Sequence, residues 1–114
     1  MEQNKTKYNP IEENQQINSL GLLGWEIDLI RDGYKQILIS KERGDFNTYS
    51  FRRGDETVMF EIVEISPCKY SMLSDIDAYY IGLANLSELH TYIKGKFGES
   101  KSNTLFFIQR IKLV

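Results

Sequence analysis

At 114 residues, with 41% hydrophobic and 26% charged residues, the chain is long enough to bury one core, too short for two, and far from the composition of disordered proteins. A formal net charge of -2 provides no global positive field to draw nucleic acid or an anionic membrane, and too little negative charge to imitate nucleic acid. No apolar run approaches the roughly 20 residues of a membrane helix, no apolar segment of a signal peptide follows the polar start, and one cysteine, Cys68, excludes an internal disulfide, so a cytoplasmic protein without membrane contact is expected.

Residues 1–8 are polar and aperiodic and are expected to be flexible, leaving 9–114 as a single α+β domain. A helix is predicted over 10–23, with Asn9 as N-cap, Pro10 at the first helical position, Glu12 and Glu13 near the positive helix end, and Gly24 as the stop. Trp25, Ile27 and Leu29 then alternate with Glu26 and Asp28, which predicts a half-buried strand with Trp25 packed at the junction. The turn Asp32-Gly33-Tyr34 leads into a hairpin partner over 35–41, carrying Ile37 and Ile39.

A third strand is predicted near 46–53 through Tyr49 and Phe51, and a fourth near 57–65, where Val58 to Val63 are apolar on both faces as in a central strand. Ser66-Pro67 is expected to end it, because proline cannot donate to a ladder. Ser74 to Asp77 resembles a helix start, but Ala78-Tyr79-Tyr80-Ile81 has strand composition and favours a short strand over 78–83. Asn85 and Glu88 open a helix over 86–97 that Gly98 closes, and the last strand spans 104–113. The sum is α+β: helix, four-strand meander, strand, helix, strand, in a mostly antiparallel sheet with helices packed on one face.

The motifs point away from catalysis. There is no glycine-rich nucleotide loop, nucleophile elbow, Cys-x-x-Cys or His-Glu-x-x-His, and the lone His90 lies on a different predicted element from Cys68, which leaves the thiol without a base. Asp75 and Asp77 with Glu61 or Glu64 lack the calcium-loop pattern, so neither a metal nor a cofactor is expected. Arg43-Gly44-Asp45 and Arg53-Gly54-Asp55 are turn chemistry, and Arg52, Arg53, Asp55 and Asp32 are placed at one end of the sheet as an exposed polar patch.

Leu20-Gly21-Leu22-Leu23-Gly24-Trp25-Glu26-Ile27 resembles the Leu-Gly-x-x-Gly-Trp-Glu-hydrophobic stretch of a family of very small bacterial domains of unknown function. The resemblance implies a helix running through the Gly-Trp junction into a strand, and implies no activity. The strand that precedes that helix in the family has no counterpart here.

Aromatic residues are in surplus. In adjacent pairs on a strand, one member points away from the helix-covered face, so one of Tyr79 and Tyr80 and one of Phe106 and Phe107 are expected at the surface as anchors for a partner or for a homodimer, with Arg52, Arg53 and Asp55 as a polar rim. The expected function is protein binding: a small cytoplasmic inhibitor, immunity or anti-defence protein that occupies the surface of a larger protein. Its Ile- and Lys-rich usage fits an AT-rich bacterial, phage or prophage genome. The alternatives are a nucleic-acid-binding regulator using Arg52, Arg53, Lys94, Lys96 and Lys101, which the charge makes the weaker reading, and a small enzyme with a carboxylate cleft.

Overall fold

The structure, a computed structural model, describes residues 20–114. The segment expected to be flexible over 1–8, and all but the end of the helix expected over 10–23, lie outside the described residues. In chain order the elements are α1 (Gly24–Arg31), β1 (Ile37–Ser40), β2 (Thr48–Arg53), β3 (Glu56–Lys69), a 3-10 turn (Tyr70–Met72), α2 (Asp75–Ile81), α3 (Leu86–Phe97) and β4 (Leu105–Leu113). The strands form one antiparallel sheet in the order β1-β4-β3-β2, so the expected α+β class is that of the structure. Its wiring differs from a meander, because β4 inserts between β1 and β3. Among the described residues no helix is long and apolar enough to cross a membrane.

Two predicted strands are helices. Residues 24–31 form α1, with Gly24 opening the helix instead of closing the previous one. Glu26, in the first turn, reaches back so that its Oε2 accepts from the Leu23 N–H at 3.1 Å, and Arg31 stands in the last turn. Ile27 and Ile30, three apart, face the core, while Trp25 is 44% exposed; the helical period replaces the apparent alternation and turns the indole outward. The expected helix-to-strand junction at Gly24-Trp25 is therefore corrected. Residues 75–81 form α2, because Ser74 caps it, Asp77 Oδ2 accepts from the Ser74 N–H at 2.9 Å, and Gly82 ends it at φ +100°. These end signals prevail over the strand composition of Ala78 to Ile81.

β3 is the central strand expected from its apolar run, but it continues through Pro67 to Lys69. Strand β2 pairs only with Glu56 to Glu61, so Pro67 lies where the strand has an open side and a missing N–H breaks no ladder there. The pairing with β4 shifts register at Val63, a bulge that keeps Ile62 and Ile65 on one face despite their odd spacing. Helix α3 and β4 stand close to their predicted bounds, and Asn85 Oδ1 accepts from the Glu88 N–H at 3.0 Å.

Two apolar clusters result. The first joins Ile27 and Ile30 of α1 to Leu38, Val58, Phe60, Ile62 and Ile111, and the second joins Ile37 and Ile39 to Ala78, Ile81, Leu89, Ile93 and Phe106. Neighbouring residues of β1 fall into different clusters, which places apolar cover on both faces of the sheet and corrects the expectation that the helices share one face. Loss of a buried phenyl group such as that of Phe60 would cost about 3–5 kcal/mol.

Candidate functional site

Glu26 and Lys35 are buried together where α1, α3 and the start of β1 converge, at 0% and 2% exposure. Lys35 occupies the same side of its extended segment as Ile37 and Ile39, two and four residues on, so β-alternation turns it inward. Its Nζ lies 3.7 Å from Glu26 Oε1 and 3.4 Å from the Ile81 carbonyl, to which it donates. Lys96 of α3 places its Nζ 3.0 Å from Glu26 Oε2, and the Tyr92 hydroxyl donates to Glu26 Oε1. The Tyr92 ring stands 5.6 Å from the Lys35 Nζ and 5.3 Å from that of Lys96, within cation–π range of both.

Electrostatics follow from this packing. Burial pulls Lys35 down to about 8, against the pull of Glu26 and with a further push from Lys96. Burial also drives Glu26 upward, but Lys35, Lys96, Tyr92 and the Leu23 N–H together outweigh it and hold the carboxyl below its ordinary value. Burial first, then the Glu26 charge, raises Tyr92, which stays protonated and able to donate. Two ammonium groups thus share one carboxylate.

Lys35, Tyr92 and Lys96 border a cleft of about 530 Å³ between α3 and the β1–β4 side of the sheet. Lys35, Tyr92, Lys96 and Gln109 are among its polar walls, with Ser40, Lys41 and Glu42 at the β1 end, and Leu22, Leu38, Ile39 and Phe97 are among its apolar ones. A largely apolar cavity with a few converging polar groups is the form taken by small-molecule sites. Gln109 of β4 is 2% exposed, and its Nε2 donates to the Arg43 carbonyl at 2.8 Å, which anchors the loop between β1 and β2.

The residues singled out by sequence do not assemble into one site. Tyr79 and Tyr80 are both exposed, on helix α2 and not on a strand, and their rings meet edge-on at 5.5 Å. Phe106 is fully buried against Tyr70 and Phe97, and Phe107 is half-buried. The turns bearing Asp32 and Asp55 do meet, through charges that largely neutralise one another: Arg31 pairs with Asp32 at 2.9 Å and with Glu56 at 3.1 Å, and Arg53 grips both oxygens of Asp28. Arg52 donates to the Gly54 carbonyl. Lys94 pairs with Glu99 and Lys96 with Glu26, so these two cations of the nucleic-acid reading already face carboxylates. Asp75 and Asp77 accept from backbone N–H groups at helix starts, His90 stacks on Tyr70 at 4.8 Å, and burial, then Asp77, pushes the half-buried Cys68 thiol up, away from the reactive thiolate.

Glu26, Lys35, Tyr92 and Gln109 carried no functional role in the sequence-based expectations. One signal was available: Lys35 shares the two-residue period of Ile37 and Ile39, and Gln109 that of Phe107 and Ile111, so each is a polar residue at an apolar-face position.

No protein-family model matches the sequence, and no curated protein matches it. Among solved structures, the ASCH domain from Lactobacillus crispatus JV V101 is similar, with 19% identity and a TM-score of 0.66 over 78% of this chain and 70% of that chain. At that identity the similarity shows a shared α+β fold.

Proposed function

We propose that the protein binds a small organic anion in the cleft bordered by Lys35, Tyr92, Lys96 and Gln109. The observation that carries this reading is the charge count at its wall, where among the described residues the cations Lys35, Lys41 and Lys96 stand against the carboxylates of Glu42 and of Glu26 behind the wall. One positive charge remains uncompensated in a partly desolvated setting, where an anion gains more than it would in bulk water. Apolar walls beside that charge favour an acid with an organic body over a bare inorganic ion. The test is calorimetric titration with benzoate, its hydroxy and methoxy derivatives, and phenyl phosphate. Saturable binding is expected, and Lys96→Met should weaken it about tenfold, as loss of a charge-assisted contact would. Absence of binding by every acid, or equal affinity in Lys96→Met, would reject the reading.

A second reading, attachment to the surface of a larger protein as a small inhibitor or immunity protein would attach, is favoured by α2. Ile76, Tyr79 and Tyr80 stand at i, i+3 and i+4 and are all exposed, the spacing of anchors on a helix face. Affinity capture with wild type and with Tyr79→Ala tests it; a partner retained equally by both would reject α2 as the anchor.

A further inference from the structure

The kind of acid that fits the cleft depends on Gln109. Its side chain is buried on β4 opposite Leu38, and its Nε2 is committed to the Arg43 carbonyl. The reverse orientation would set two carbonyl oxygens against each other, so Arg43 fixes which end of the amide faces which way. Gly44 makes this approach feasible: its φ is +74°, and a Cβ there would stand 2.4 Å from Gln109 Nε2.

With Nε2 committed, Oε1 is the remaining polar end of a side chain that lines the cleft, and among the described residues it accepts no hydrogen bond. Lys35, the other buried polar side chain in the lining, can only donate. The cleft therefore presents a cation at one wall and a fixed neutral acceptor at another.

We infer that the ligand is an organic acid that also carries an N–H or O–H donor, with the acid held at the accessible Lys96 in the field of the buried Lys35, and the donor read by Gln109 Oε1. This rests on the cleft reading and adds a selectivity to it. Buried acceptors discriminate strongly against a ligand that leaves them unpaired, because that acceptor then loses water and gains nothing.

The experiment compares 3- and 4-hydroxybenzoate with 3- and 4-methoxybenzoate by calorimetry, since each methoxy acid keeps the charge and the oxygen but has no donor. In the wild-type protein one hydroxy acid should bind about tenfold or more tightly than its methoxy counterpart. Gln109→Met should bring that ratio to within about twofold, whereas Lys96→Met should weaken both acids and preserve the ratio. Equal binding of hydroxy and methoxy acids by wild type, with Lys96→Met weakening both, overturns this inference while the cleft reading stands. A ratio unchanged in Gln109→Met overturns it as well, and if that variant does not fold, the wild-type ratio alone decides. No binding by any acid overturns both readings together.

Discussion

Glu26 Oε1 and Lys35 Nζ lie 3.7 Å apart with neither side chain in contact with solvent, so their attraction is set against the loss of two hydration shells. Removing one partner exposes the other to that loss without compensation. Glu26→Gln should therefore destabilise the protein by about 3–5 kcal/mol. Lys35→Met, which leaves Glu26 with Lys96 and Tyr92, should cost less. Urea denaturation of the two variants, compared at one pH, measures the order; equal losses would show that the cluster does not act as a charge network.

Stability should also depend on pH through Lys35. Its folded value of about 8 lies below the ordinary 10.5, so between those values the unfolded chain binds the proton more firmly than the native one. The burial penalty is full below about pH 8 and fades as the pH rises toward 10.5. Wild type should gain stability relative to Lys35→Met across that window. A constant difference from pH 7 to 10 would contradict the placement of the ammonium.

On the acid side Glu26 acts in the opposite sense. Its carboxyl is held below its ordinary value of 4.5, so its contribution is present above that value and lost as the pH falls through the lower, folded one. Acid unfolding of Glu26→Gln should show a shallower slope than wild type below pH 4.5.

Trp25 packs edge-on against Tyr92 at 6.2 Å while remaining open to water. Trp25→Ala should cost only about 1–2 kcal/mol, far less than a core aromatic. Acrylamide should quench the indole readily. Because Tyr92 also borders the cleft, an acid bound there should change the Trp25 emission; an unaltered spectrum at saturating acid would separate the indole from the site.

The surface and core aromatics should separate in a thermal melt. Tyr79→Ala is expected to stay within about 0.5 kcal/mol of wild type, and Phe106→Ala to lose about 3–5 kcal/mol. A large loss in Tyr79→Ala would mean that α2 is held by its outer face.

Helix α3 and strands β2, β3 and β4 were legible because their signals agree at every level: Asn85 and Gly98 bound a helical stripe, and Val58 to Val63 form an apolar run. Helices α1 and α2 were misread where local composition and end signals disagree. Trp25 to Leu29 alternate as a strand does, yet Glu26 makes its first-turn bond to Leu23 and Ile30 follows Leu29, which breaks the alternation and restores the helical spacing from Ile27. The cleft was less legible still. Glu26 and Lys35 read as solvated charges, and the long-range packing of α1 and the start of β1 against α2 and α3 removes them from water.

The position of β4 has a bearing on how the chain is made. Among the described residues strand β1 pairs with β4 alone, so a ribosome must deliver Leu105–Leu113 before the Ile37–Ser40 segment gains this sheet partner. Until then the apolar side chains of β1 lack the cover that Phe106 and Ile111 of β4 bring, and the sheet closes last at its middle. Long-range pairing of this kind carries a loop-closure cost before any contact compensates it, which places refolding in the millisecond-to-second range and makes the nascent chain, more than the finished protein, the form exposed to aggregation.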